Sequence, residues 1–203
     1  AGIVHTPHAA LPLEKARAAA EKQARDVAEQ LSSARREAAA KLGRSVSKEL
    51  ASLAMGDATI TVEVEPAKNR DGELSVNGAR LSTTGIDRVE FLIATNAGET
   101  PRPLSKIASG GELSRAMLAL KRVLAGVGPG GLYVFDEVDS GVGGAVAEVI
   151  GRKIRDVSHH HQVICITHLA PIAVYADTHF RVQKSVEKGR TRSLIVPLSA
   201  EEA

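Results

Sequence analysis

The sequence predicts an α/β fold, a mixed and partly parallel sheet with flanking helices, preceded by a long N-terminal coiled-coil helix. Three observations lead there. The 203 residues are 43% hydrophobic, rich in Ala and only 2% aromatic, a composition that supports a core and favours extended helix. From Leu13 to Leu53 there is no Pro, and Gly43 is the only Gly. The second half alternates short apolar runs with amphipathic helical stretches, the pattern of strands exchanging with helices.

Composition also excludes several classes. With 26 Lys+Arg against 24 Asp+Glu the chain is nearly neutral, which argues neither for nor against a nucleic-acid partner. No apolar run approaches the roughly 18 residues of a membrane span, and no secretory signal pattern is visible, so no membrane partner is expected. The single Cys165 rules out an internal disulfide framework and fits a reducing, cytoplasmic setting. The chain begins with Ala rather than Met, and we expect it to be a piece of something longer.

Residues 1–12 hold Pro7 and Pro12 and read as a terminal loop. Residues 13–54 read as an arm helix, in which Ala20, Ala24, Val27, Leu31, Ala34 and Ala38 step alternately by four and three, a heptad seam. The seam then slips to Leu42, Val46, Leu50 and Leu53, larger side chains that suit docking on a globular body. Residues 55–203 form that body. Ile60, Val62 and Val64 alternate with polar residues as a strand, Lys68–Gly72 has turn composition, and Ile86–Asn96 alternates again. After Pro101 and Pro103 come a helix following Gly111, a strand at Leu132–Phe135, a helix at about Gly144–Val157 and a buried strand at Val163–Thr167. A short helix near Ala170–Ala176 and strands at Thr178–Lys184 and Arg192–Val196 complete the reading.

Three segments bear chemistry. In Ser109-Gly110-Gly111-Glu112 two glycines open the backbone just before an apolar-periodic helix, so unpaired N–H groups and the positive helix end can meet an anion. The same residues also suit an ordinary N-cap with an acidic first turn. The strand at Leu132–Phe135 runs into Asp136 and Glu137 at a carboxyl edge, where α/β ligands bind. There an Asp can hold Mg²⁺ and a Glu can activate water, or the pair is simply an acidic strand–loop junction. Asp139, Ser140 and Gly141 follow in a Gly-rich loop. The strand Val163–Thr167 delivers His168 to the same edge, where a lone His is more often structural.

The order of these segments resembles ABC-type ATPases. Ser109–Glu112 resembles the signature motif, Leu132–Glu137 the Walker B strand with its catalytic Glu, Asp139–Gly144 the D-loop region, and His168 the switch histidine. The stretches LSKIASGGELSRAMLALK, VFDEVDSGVGG, QVICITHLAPIAVYAD and VEFLIATNAGETPRPL are most similar to the RecN family, relatives of the structural-maintenance-of-chromosomes (SMC) proteins. The resemblance covers about Leu42 to Lys184 and implies the C-terminal lobe of an ABC-type ATPase head with its returning coil arm. It implies ATP and Mg²⁺ as cofactors, a second head, DNA and the protein's own N-terminal lobe as partners, and work in recombinational repair near the nucleoid. It further implies that Ser109, Gly110, Gly111 and Glu112 meet a nucleotide held by the opposite head, Asp136 serves Mg²⁺, and Glu137 polarises water. His168 would touch the γ-phosphate, and Asp139, Ser140 and Gly141 the dimer contact. Alternatives are another SMC-like head, a transporter's nucleotide-binding subunit, which the heptad arm disfavours, and a non-hydrolysing scaffold.

The sequence departs from the pattern in one decisive way. No G-x-x-x-x-G-K-[ST] phosphate loop occurs, so the chain alone is expected to be half a site and inactive. Leu169-Ala170-Pro171 also stands where the family more often has Leu-Pro-Gln. His159-His160-His161 lacks a carboxylate or Cys at ligand spacing and does not read as a metal site. His5 and His8 are assigned no role. Cys165 reads as a buried hydrophobe. Between Glu14 and Glu49 nine Lys/Arg face six Asp/Glu, an excess that fits a solvated helix face better than a DNA track.

Overall fold

The first element of the computed structural model, which describes residues 7–69, 73–187, 190–199 and 201–202, is a 45-residue helix, α1 (Pro7–Ala51). It begins earlier than expected. Pro7 takes the first helical position, where a missing N–H costs nothing, and Pro12 is absorbed inside the helix near its start, so the predicted loop is helix from Pro7 onward. Residues 1–6 lie outside the described residues, as do 70–72 of the expected turn. At the other end Ala54 adopts a left-handed φ of 56° and the Met55 N–H returns to the Leu50 carbonyl at 3.2 Å, closing the helix in the manner of a C-terminal cap.

The buried line of α1 runs through Ala28, Ser32, Ala39, Val46 and Leu50. It therefore lies beside the predicted seam, whose Val27 is 56% exposed and Leu31 37%. Burial is densest at the base of the helix. There Gly43 has a specific function, because a Cβ on it would stand 2.9 Å from the Ile60 carbonyl oxygen. Its absence lets α1 lie directly on the first strand, and the Ile60 N–H donates to Ser47 Oγ at 2.9 Å across that contact.

That strand, β1 (Thr59–Pro66), pairs antiparallel with β4 (Asp87–Ala94), Val62 opposite Phe91, and β4 pairs with the short β5 (Arg102–Pro103). Between them β2 (Ser75–Val76) and β3 (Ala79–Arg80) form a small hairpin, whose Val76 and Ala79 cluster with Ala28 of α1. Ser32 Oγ donates to Asp87 at 2.6 Å and Arg35 to its other carboxylate oxygen at 3.1 Å, fastening the middle of α1 to the start of β4.

The second half supplies α2 (Gly110–Val123), β6 (Leu132–Phe135), α3 (Gly144–Ser158), β7 (Gln162–Cys165) and a single-turn α4 (Ala170–Ala173). β6 and β7 are parallel, Phe135 opposite Cys165. The core joins Val46, Leu50 and Leu53 to Ile93, Leu118, Ile150 and Val157, with Tyr133, Val163 and Cys165 packed against it. Glu49 of α1 ties the helices together, accepting from Arg122 of α2 at 2.7 Å and from Lys153 of α3.

The strands lie in separate small sheets, antiparallel except for the β6–β7 pair. One expectation is corrected here. The strand expected to be buried is covered on one side only. β7 ends at Cys165, and Ile164 and Ile166 are exposed alongside Leu132 and Val134 of β6, because the core holds only the alternate residues of the pair. The last two strands, β8 (Phe180–Glu187) and β9 (Arg190–Pro197), form an antiparallel hairpin of their own, with Val182, Val186 and Ile195 exposed.

Candidate functional site

The predicted residues come together where α2 begins and β6 and β7 end. Ser109 is extended and caps α2, its hydroxyl accepting from the Glu112 N–H at 3.4 Å. Gly110 and Gly111 open the helix, and what they approach is the turn after β6. A Cβ on Gly110 would lie 2.0 Å from Glu137 Oε2; one on Gly111 would lie 2.8 Å from Ser140 Cβ and 3.2 Å from the Glu137 carbonyl oxygen. Gly111 is thus required by packing within the chain, independently of any ligand, whereas at Gly110 the neighbour is the movable end of the exposed Glu137 side chain.

Asp136 and Glu137 are exposed at the end of β6. Glu137 sits at φ 55°, a left-handed conformation unusual for a residue with a Cβ, held as its N–H donates to Asp136 Oδ1 at 2.9 Å. Ser114 of α2 donates to the Asp136 carbonyl at 2.5 Å, and Arg115 to the Ser140 carbonyl at 2.8 Å. The Arg115 side chain is buried with its Nε unpartnered among the described residues, and that burial lowers its pKa. Helical spacing carries the signal for both side chains, since Ser114 and Arg115 lie four residues beyond Gly110 and Gly111 and so stand under them.

Asp139 is turned inward and is 6% exposed. Its Oδ2 accepts from the Thr167 hydroxyl at 2.6 Å and from the His168 N–H at 3.2 Å, and the His168 Nδ1 stands 3.1 Å from the same oxygen. Burial alone would raise the Asp139 pKa; the bonds from Thr167 and the His168 backbone outweigh it and hold the carboxyl below the usual range. The carboxylate expected at a dimer contact is therefore engaged inside its own lobe, and the loop presents Ser140 and Gly141 outward instead. The His168 side chain is 78% exposed. Cys165, the last residue of β7, is pushed up to about 11, first by burial and then by the charges of Asp139 and Asp136.

The donor set has a definite chemistry. Asp136 offers one exposed carboxylate, and no group of three His, Cys, Asp or Glu is placed to hold a metal among the described residues. One carboxylate suits Mg²⁺, which takes few protein ligands and fills its shell with water and phosphate oxygens. In the His159–His161 run, His161 is buried, accepting from the Gly131 N–H at 3.1 Å and donating through Nε2 to the Ala125 carbonyl at 3.0 Å. Its function is to fasten the loop before β6. Among the described residues no helix is long and apolar enough to cross a membrane.

No protein-family profile matches the chain. Among solved structures, the Smc head domain with a coiled coil and joint from Pyrococcus yayanosii aligns over 79% of this chain and 27% of that one, at 22% identity and a TM-score of 0.51. The fold is that of part of an Smc head domain with its coiled-coil arm. Sequence narrows this further. The DNA repair protein RecN of Xylella fastidiosa strain 9a5c is 43% identical over 178 residues, 88% of this chain, and that of Bacillus subtilis 46% over 168 residues. RecN of Treponema pallidum is 56% identical over 105 residues, about half of the chain. The chain belongs to the RecN family and corresponds to its C-terminal part. It spans about 30% of the length of the curated relatives it matches.

Proposed function

We propose that the chain is the C-terminal half of a RecN-type ATPase head, acting in the recombinational repair of double-strand DNA breaks in the cytoplasm, at the nucleoid. The observation that carries this reading is the convergence of four motif segments on one edge through direct contacts: Gly110 against Glu137, Gly111 against Ser140, and Asp139 on Thr167 and His168. ATP and Mg²⁺ are the cofactors. Asp136 holds Mg²⁺ through one carboxylate, largely by way of water. Glu137 orients and polarises the attacking water, and His168 meets the terminal phosphate with the ring nitrogen that points away from Asp139. Ser109, Gly110, Gly111 and Glu112 face the nucleotide of a second head of the same kind, and Ser140 and Gly141 lie at that junction.

The phosphate-cradling loop belongs to the protein's own N-terminal lobe. Its docking accounts for the apolar faces left open on β6–β7, where Val134 is 57% and Ile166 53% exposed. DNA is the partner whose binding the nucleotide state controls, through α1 and its coil. Hydrolysis measured with this chain alone, and again with the N-terminal lobe supplied, tests the reading. Silence alone and turnover on mixing is the expected result; Glu137→Gln should then abolish turnover while ATP-dependent pairing of heads persists. Turnover by this chain alone, or none by two associated lobes, overturns it.

A further inference from the structure

Asp139 is the one carboxylate of the site that does not face outward, and three groups converge on a single one of its oxygens. The Thr167 hydroxyl donates to Oδ2 at 2.6 Å, the His168 backbone N–H at 3.2 Å, and the His168 ring nitrogen Nδ1 lies 3.1 Å from it. Thr167 is itself held, since its oxygen accepts from the Leu169 N–H at 3.0 Å. The turn that carries His168 is thus pinned at residues 167, 168 and 169, whereas its ring stands in solvent.

We propose that Asp139, with Thr167, is a positioning residue for His168: it fixes the turn, keeps the proton on Nδ1, and leaves Nε2 as the atom turned outward to the reaction. This rests on the reading above, in which His168 meets the terminal phosphate. Nδ1 stands 3.1 Å from the carboxylate without the alignment of a hydrogen bond, so it is the negative charge of Oδ2 that favours hydrogen on the nearer ring nitrogen, and the neutral imidazole then exposes its other nitrogen as an acceptor or, once protonated, as a second donor. Thr167 and the backbone N–H already fix Oδ2 in place before any ligand arrives, so little reorganisation is left for the reacting state. Asp139 thereby links the loop after β6, which carries Glu137, to the turn after β7, which carries His168.

The test uses the full-length protein. In the ¹⁵N-histidine spectrum His168 should be the Nδ1–H tautomer, changing to Nε2–H or to a mixture in Asp139→Ala; an Nε2–H signal in the unaltered protein overturns the proposal. In steady-state hydrolysis, His168→Ala should lower kcat by about a hundredfold, the scale of losing one preplaced polar contact. Asp139→Ala should lower kcat at least tenfold with KM for ATP within about twofold, and Asp139→Ala/His168→Ala should be no slower than His168→Ala alone. Asp139→Asn keeps an oxygen for the Thr167 hydroxyl and the His168 backbone N–H and should recover most of the loss; Thr167→Ser should retain function where Thr167→Val does not. Multiplied losses in the double variant, or undiminished kcat in Asp139→Ala, overturn the positioning role and leave His168 untouched. Undiminished kcat in His168→Ala removes the histidine's own role, and the proposal with it.

Discussion

The two halves of α1 share one helix and one Ala-rich composition but differ in what covers them. At the base, Val46 and Leu50 are fully buried against β1 and the helices behind it; farther out, Val27 is 56% exposed and Leu13 74%. Ala20, Ala34 and Ala38 of the heptad seam are exposed as well. The sheet pair β6–β7 repeats the contrast across its thickness, with Phe135 buried and Val134 exposed one residue earlier. Apolar periodicity specifies that a face is meant to be covered, and it does not say by what. A helix stretch without tertiary support is marginal in water even when Ala-rich, and the seam and the open sheet face gain little support from within this chain.

The largest difference between the halves should appear on truncation of their apolar side chains. Leu50→Ala removes a fully buried side chain from the centre of the core and should cost about 3 kcal/mol, read as a lower urea midpoint. Phe135→Ala, on the covered face of β6, should cost a similar amount, whereas Val134→Ser on the open face should leave the midpoint within about 0.5 kcal/mol. Equal losses at Phe135 and Val134 would mean that both faces are covered within this chain. Hydrogen exchange gives the same comparison without mutation: amides near Leu50 should exchange only on global unfolding, and those around Ala20 by local fraying.

Cys165 probes the covered face chemically. With its thiol moved from 9.0 to about 11, alkylation at pH 8 should be about a hundredfold slower than for an unperturbed thiol, because the thiolate is the nucleophile. Ordinary reactivity would show that β7 is open on both sides. Gly43→Ala comes next in size. Alanine favours helix by about 1 kcal/mol over glycine, but its methyl would meet the Ile60 carbonyl oxygen at 2.9 Å. We expect a net destabilisation of about 1–2 kcal/mol in thermal unfolding; a stabilised variant would mean that α1 and β1 are separable.

Much of this was readable from residues. The strand at Leu132–Phe135 falls where its short apolar run put it, α3 starts at Gly144 as expected, and the site segments share one edge because each follows a strand end or opens a helix. What periodicity could not supply was pairing and depth. Val163–Thr167 is as apolar as a two-sided buried strand, so its open face is invisible until its neighbours are known. The inward turn of Asp139 was equally hidden: a Gly-rich loop reads as exposed, and only the position of Thr167, distant in sequence, shows which way the carboxylate points. Pro12 reads as a helix breaker, yet near the start of so long a helix the lost hydrogen bond is one among many.

A smaller effect sharpens the comparison most. Leu31 is on the seam and 37% exposed, its side chain lying against Gly85, and in this chain Leu31→Ala should cost about 1 kcal/mol, since the side chain is only partly covered and Ala is the better helix former. In the full-length protein the expectation differs. If a second helix packs on the seam, Leu31 becomes a knob in a hole and the same substitution should cost about 2 kcal/mol. The difference between those two measurements isolates what covers the arm, because every contact within this chain is common to both. A full-length loss as small as that in this chain would leave α1 an amphipathic helix lying on its own lobe, and its outer face would then need no partner.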